Sequence, residues 1–553
     1  MKSLLGMDSF RAKMIVAVAL VVGAASLGCP GPSPKAGEGR TDAAAKPAAG
    51  GGKKTGAAPA ANATAAAPQP LLADWKKPAA AILLTGEQHG YFEPCGCSLH
   101  QLGGMARRGD LIRILTEERK WPVTGLDVGG TIKRSRRQDQ IKFLMFLDAF
   151  KSMKYSGVAL GLEELKLGAD FLLQLGADFL LQQQISDPEE LKKSVALLSA
   201  NVVLFDQPDL NWPIPWRVIQ VGKVKVGVTA VIGASLREQV APMGASTNIT
   251  IKDPAEVLPG VIEKLAAEKP DFLILLSHGS EAEAKELAQK FPQFKVILTA
   301  GGPEEADPKP VIVGKTMIVE AGHKGKRVGV LGYYPDNAAA PFRYDLVELD
   351  DVRFKNDPHM RDLLKTNQQQ IQDEGLATSD ELVLRHPSGN TYVGAAKCGE
   401  CHKKAYEHWK DTKHAEGFTS LKTGHPGQEK DWVVRTHDPE CLSCHVTGWE
   451  PQQMLRFESG FYSEEKTPHL AGQQCENCHG PGSKHTALEE GFAAKKPDIK
   501  MADVLASRAN VRRTLDHARK ELCIQCHDSD NSPKFKPDAF QEFWDQVAHP
   551  WKD

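Results

Sequence analysis

Hydrophobic and polar positions change rhythm along this chain. From Ala80 to about Leu346, short apolar runs rich in β-branched residues alternate with helix-favouring stretches, and glycine or proline separates them. Ala81–Leu84, Lys225–Val228, Phe272–Leu276 and Val296–Leu298 are too short for buried helices and read as strands. Glu281–Lys290, between the last two, favours a helix. Strands alternating with helices predict a layered α/β domain over residues 80–346. Residues 347–390 are polar and partly helical, best over Met360–Gln372, and read as a connector. After Tyr392 the aliphatic runs thin out while Cys, His, Trp and Gly become prominent. A mainly helical region over 391–553 then needs something other than aliphatic side chains for its core.

Two local features interrupt this pattern. Leu167–Gln174 is repeated at once as Leu175–Gln182, which on a helix adds about two turns; two copies make no array, and a tolerated in-frame duplication is the simpler reading. At the start, Lys2, Arg11 and Lys13 precede the apolar stretch Met14–Ala25 and small residues follow, the pattern of an export signal over residues 1–28. Ser26-Leu27-Gly28-Cys29 resembles a bacterial lipobox, so Cys29 is the expected lipid attachment point on the periplasmic side of a membrane. Residues 29–79 are Ala, Gly, Pro and Lys with few bulky apolar side chains and read as a disordered tether.

With 553 residues the chain is long enough for several cores. Its 68 Lys and Arg balance 70 Asp and Glu with no basic block, so nucleic acid is not an expected partner. The 11 cysteines are more informative. Eight fall in four units: Cys398-Gly-Glu-Cys401-His402, Cys441-Leu-Ser-Cys444-His445, Cys475-Glu-Asn-Cys478-His479 and Cys523-Ile-Gln-Cys526-His527. In Cys-x-x-Cys-His the two thiols form thioethers to a haem and the histidine reaches its iron. Zinc also accepts Cys-x-x-Cys, but zinc does not require the next residue to be histidine four times. Four covalent c-type haems are expected, with His402, His445, His479 and His527 as proximal ligands.

Around these units, "CHKKAYEHWKDTKHA", "CLSCHVTGW", "CENCHGPGSKH" and "CIQCHDSDNSPKF" resemble the cytochrome c-554 family of tetrahaem cytochromes over roughly Tyr392–Pro550. The resemblance implies a mainly helical fold with stacked haems and a role in electron transfer. It also implies distal ligands at His414, His485 and His549, and an open axial position on the haem of His445. His437, close by in "THDPECLSCH", is a rival that would fill it.

The other notable stretch is "LLTGEQHGYFEPCGC", Leu83–Cys97. With later turns over about Ala81–Leu331 it resembles the metallophosphatase domain of the 5'-nucleotidase family, which implies two metals about an activated water. Here Glu87-Gln88-His89 stands at the first motif, and Leu126-Asp127-Val128-Gly129-Gly130 has glycine at the bridging aspartate. Gly161-Leu162-Glu163-Glu164 has leucine at the asparagine ligand and glutamate at the catalytic histidine. Ser277-His278-Gly279 is kept, whereas Gly301-Gly302-Pro303-Glu304-Glu305 lacks both final histidines. A standard two-metal phosphatase is therefore not expected. Glu87, His89, Cys95, Cys97 and His278 are candidate ligands for one softer metal such as zinc or copper; a redox disulfide or a purely structural role for Cys95 and Cys97 are the alternatives.

These features predict an exported, lipid-anchored electron carrier, its altered phosphatase-like domain serving for docking, metal binding or redox coupling, and redox proteins as its partners. A redox enzyme acting on a small nitrogen or sulfur compound at an open haem is the second reading. A phosphoesterase or sulfur-ester hydrolase is the third.

Overall fold

The computed structural model describes residues 70–94, 100–185, 194–240, 248–379, 383–425, 427, 429–528, 531–532 and 534–549. The chain divides into two units, Met1–Ala66 and Ala67–Asp553, and only the second contains described residues. The export signal, Cys29, Cys95 and Cys97 therefore lie outside them.

The first half of the α/β domain runs β1 (Ala80–Thr85), α1 (Met105–Arg113), β2 (Val123–Asp127), α2 (Arg137–Ser152), β3 (Tyr155–Ala159), α3 (Leu162–Leu165), α4 (Ala169–Ile185) and β4 (Ala196–Leu198). A ribbon strand, β5 (Val202–Leu204), follows. The second half runs β6 (Trp216–Val221), β7 (Val224–Ile232), β8 (Ile249–Ile251), α5 (Pro254–Ala267), β9 (Phe272–His278), α6 (Glu281–Lys290), β10 (Phe294–Thr299), β11 (Val311–Val313) and β12 (Thr316–Glu320). β13 (Arg327–Tyr333) and β14 (Phe342–Glu348) return to the first half. Two six-stranded sheets result, ordered β14-β13-β1-β2-β3-β4 and β11-β12-β10-β9-β7-β6. The expected strands and the Glu281–Lys290 helix all form.

The period of two in the strands builds the layers. Ala80, Ile82 and Leu84 of β1 meet Val226, Val228, Ile274 and Leu298 between the sheets, while Ala81 and Leu83 face Phe143, Phe146 and Phe150 on the helical side. On the opposite side Leu273, Leu275 and Ile297 pack against Leu258 and Leu265 of α5 and Leu287 of α6. The domain is thus a four-layer α/β/β/α sandwich. α4 begins at Ala169, inside the first copy of the repeated octet, and continues through the second, and the Trp212 indole N–H donates to the Leu172 carbonyl at 2.8 Å. Residues 70–79, read from composition as the end of the tether, lie against this core: Leu72 is buried and Trp75 stacks on Trp121.

α7 (Pro358–Asp373) occupies the stretch read as a connector, but Met360 and Leu364 are buried in the helical layer of the sandwich. Beyond it come β15 (Val383–Leu384), α8 (Ala395–Gly399), α9 (Lys403–Lys410), α10 (Gly417–Thr423), α11 (Pro439–His445), β16 (Trp449–Glu450), β17 (Leu455–Phe457), α12 (Cys475–His479), α13 (Ser483–Ala493), α14 (Met501–Val511) and α15 (Phe540–Val547). Among the described residues, this mainly helical region has a small apolar cluster centred on Phe418, Leu442, Trp449 and Phe461.

The two regions meet through α2 and α11. Asp438 caps α11 by accepting from the Glu440 N–H at 2.9 Å, and it also accepts from Gln138 Nε2 at 2.6 Å and Gln368 Nε2 at 2.7 Å. Lys142, buried on α2, pairs with Glu440, and Arg435 pairs with Glu93. Arg361 Nη1 donates to Asp431 Oδ1 at 2.7 Å at the rim.

Candidate functional site

Short helices carry the attachment motifs: Cys398 lies on α8, Cys441, Cys444 and His445 on α11, and Cys475, Cys478 and His479 on α12. Cys523 follows a helical turn, and the His527 N–H bonds the Cys523 carbonyl at 2.8 Å. None of these eight cysteines is paired in a disulfide. Cys398 lies within hydrogen-bonding reach of Cys475, and Cys444 of Cys526, so first and third motifs adjoin, as do second and fourth.

The histidines pair across these motifs. His402 faces His485 with ring centroids 6.5 Å apart and planes 16° from parallel. His527 faces His414 at 6.0 Å, and His479 faces His549 at 5.9 Å. Two imidazole nitrogens at about 2 Å on opposite sides of one iron place ring centroids about 6 Å apart, so the three pairs have the spacing of axial ligands. His445 has no such ring partner among the described residues, and His437 is exposed.

Ring tautomers are set by what the second nitrogen meets. His445 Nδ1 donates to the Gly417 carbonyl and His479 Nδ1 to the Val511 carbonyl, both at 2.7 Å, which leaves each Nε2 lone pair free to ligate. His527 Nδ1 lies 2.7 Å from Ser532 Oγ, and His485 Nδ1 lies 3.2 Å from Ser507 Oγ. Burial, helped by His527 and His445, pushes His414 down to about 4 and keeps its imidazole neutral. The residues present therefore fit covalent haem in thiol positions, imidazole spacing and protonation state.

In the sandwich, the stretch after β1 gathers a different set. Glu87 Oε1 lies 3.9 Å from His89 Nε2, and Glu87 Oε2 lies 3.4 Å from His323 Nε2. The ligand atoms of these three residues all lie within 4.8 Å of one another. Reading the sequence missed His323, which sits in the glycine-flanked turn between β12 and β13; its Gly-His-Lys-Gly pattern was the available signal. His278, at the end of β9, stands beside this group and lies 3.3 Å from Glu163. Burial opposes the charge on Glu163, but His278 outweighs it and the carboxyl sits at about 2. Burial likewise opposes charge on His278, and Glu163 lifts that imidazole above its ordinary range.

The remaining positions of the phosphatase-like pattern are committed to structure. Asp127 accepts from Thr85 Oγ1 and Gln88 Nε2, both at 2.6 Å, and from the Gly129 N–H at 3.0 Å. Glu164 accepts from the N–H groups of Gly130, Thr131 and Gly161. A Cβ on Gly130 would come 3.1 Å from Glu87 Cα, so no aspartate fits there without a shift. Glu304 is held by Lys324 and Lys326; burial opposes its charge, but the two ammonium groups bring it to about 2. Hydrolysis of AMP by the purified protein is therefore expected to stay at the no-enzyme background with manganese or zinc added, measured as phosphate release.

Residues 397–480 match the family described as cytochrome c554 and c-prime. That span holds the first three attachment motifs, and the match supports covalent c-type haem and a multihaem electron-carrier relationship for this region. Cytochrome c-554 of Nitrosomonas europaea is 30% identical over 146 residues, which are 25% of this chain and 57% of that protein. Apyrase of Aedes albopictus is 28% identical over 218 residues, 35% of this chain and 38% of that protein. The chain thus spans about half the length of the first relative and little more than a third of the second. Among solved structures, the 5'-nucleotidase precursor from Thermus thermophilus is similar at 20% identity and a TM-score of 0.43, covering 53% of this chain and 59% of that one.

Proposed function

We propose that the chain is a four-haem c-type cytochrome that carries electrons, with the α/β sandwich docked at one end of its haem array. The observation that carries this reading is the set of three facing histidine pairs beside four attachment motifs. Bound there, the haems supply one-electron transfer. Cys398 and Cys401, Cys441 and Cys444, Cys475 and Cys478, and Cys523 and Cys526 hold them, with His402, His445, His479 and His527 as proximal ligands and His485, His549 and His414 opposite three of these. Motifs that adjoin through Cys398–Cys475 and Cys444–Cys526 keep the sites close enough for transfer along the array. The motif of His445 is the one seated against the sandwich, through Asp438 and Glu440. Export and lipidation at Cys29 would present the array to other redox proteins from a membrane surface.

One observation favours a second reading. Among the described residues no imidazole forms a facing ring pair with His445, so a small nitrogen or sulfur compound reduced or oxidised there would make the protein a redox enzyme. For the primary reading, intact mass and haem staining after denaturing electrophoresis are expected to show four haems per chain, and Cys398→Ala to weaken or remove one. Fewer than four in the parent protein, made by a host competent in c-type maturation, would sink it.

A further inference from the structure

The metal-binding capacity of the sandwich does not depend on the electron-carrier reading. We propose that Glu87, His89 and His323 hold a single divalent transition-metal ion of the zinc or iron class, in place of the two-metal centre that the phosphatase-like pattern implies.

The three residues come from segments that the topology brings to one end of the sheets: Glu87 and His89 follow β1, and His323 lies between β12 and β13. Backbone hydrogen bonds join them directly, since the Lys324 N–H donates to the Glu87 carbonyl at 2.7 Å. Glu87 and His89 both have left-handed backbones, with φ of 49° and 48°, a conformation that non-glycine residues adopt at a cost. The surroundings impose it: the Glu87 N–H bonds the Gly129 carbonyl at 2.7 Å and the His89 N–H bonds the Gly130 carbonyl at 2.9 Å. With Gln88 between them locked to Asp127, both functional side chains turn to the same side.

His323 supplies the independent sign of a ligand. The Gly302 carbonyl accepts from the ring, and Nε2, a buried atom without a well-aligned hydrogen bond, has the Glu87 carboxylate as its ion-pair partner at 3.4 Å. A ligating histidine is commonly fixed through one ring nitrogen by a carbonyl, which leaves the other for an ion shared with a neighbouring carboxylate. A tetrahedral ion with bonds of about 2.1 Å separates its ligand atoms by about 3.4 Å, so the observed 3.4 and 3.9 Å need only a small contraction. Two imidazoles and one carboxylate suit zinc or iron better than magnesium or calcium, which prefer all-oxygen sites. Among the described residues no second ion has a comparable set, because Gly130, Leu162 and Pro303 offer no ligand side chain and Asp127 is spent on Thr85 and Gln88.

The test uses full-length, haem-loaded protein, stripped with chelator, given zinc and passed over a desalting column. Mass spectrometry of metals is expected to find about one zinc per chain. His323→Gln and His89→Gln are each expected to lower retained zinc at least about tenfold, the loss that even an outer-shell change produces. His278→Gln is expected to keep it. Zinc retained by His323→Gln, zinc lost only from His278→Gln or from the Cys95→Ser, Cys97→Ser double variant, or no zinc in the parent would each overturn the assignment. If a variant melts below the parent before metal is added, the zinc-dependent rise in melting temperature decides instead: a rise in the parent that is absent from His89→Gln supports the site, and no rise in the parent refutes it. Haem content, read from the same samples, keeps this result separate from the electron-carrier reading.

Discussion

Carbon monoxide added to the reduced protein is expected to shift about a quarter of the haem absorbance, the share of one iron in four, because six-coordinate bis-histidine irons must lose a ligand before they bind it. The iron concerned is the one His445 would hold. His402, His479 and His527 each face a second imidazole about 6 Å away, centroid to centroid, whereas His445 has no such facing pair among the described residues. Removing one of those partners should open a second iron. His414→Ala is therefore expected to raise the carbon monoxide-sensitive share to about half, with a matching gain in high-spin signal. His437→Ala is expected to change neither, since His437 is exposed and outside every facing pair. Spectra that show only low-spin haem in the parent, and a high-spin centre on His437→Ala, would mean that His437 closes the site and leave a carrier with no open iron.

What the sequence conveyed differs between the two regions for a physical reason. In the sandwich, strands buried on both faces need continuous apolar runs, so β1, β9 and β10 stand out from the order of residues alone. α7 is legible as a helix, but not as a layer of the core, because Met360 and Leu364 are only two apolar points in a polar segment. In the helical region the chemistry is written in contiguous motifs, and the attachment residues can be read directly. The pairing of histidines cannot, since His402 and His485 are joined only by the path of the chain between α8 and α13. The partnership of His323 with Glu87 is hidden for the same reason: its glycine-flanked turn can be read as a turn, but it lies far along the chain from Glu87 and no spacing rule connects them. The interface is a third case. The partner of Lys142 is 298 residues away, so no local pattern announces the pair.

That lysine carries the largest stability effect expected of a single substitution. Lys142 is buried, and burial opposes its charge, but Glu440, Asp438 and Asp139 outweigh that and hold its pKa above the ordinary lysine value. Glu440 is depressed in turn: burial opposes its charge, and Lys142 with Arg134 outweighs it. Lys142→Met keeps the apolar stem and deletes the ammonium group, leaving Glu440 without its principal partner beside Cys441. Breaking a buried pair from one side costs about 3–5 kcal/mol. A clear fall in melting temperature is the expected result in calorimetry, and it should begin where α2 meets α11. Replacing both partners, Lys142→Met with Glu440→Leu, is expected to recover most of the loss, because two apolar side chains leave no unpaired charge. The pH dependence has a sign as well. The Glu440 contribution is present above the unfolded carboxylate value of about 4.3 and is lost as pH falls through its depressed folded value. The Lys142 contribution is present below the unfolded lysine value of about 10.4 and is lost as pH rises through its raised folded value. The difference in stability between the parent and Lys142→Met should be largest near neutral pH and shrink towards either end, as Glu440 takes up a proton or Lys142 loses one. A difference that stayed constant down to about pH 2, well below the unfolded carboxylate value, would show that Lys142 acts by packing alone, and that charge does not hold the sandwich to the helix of His445.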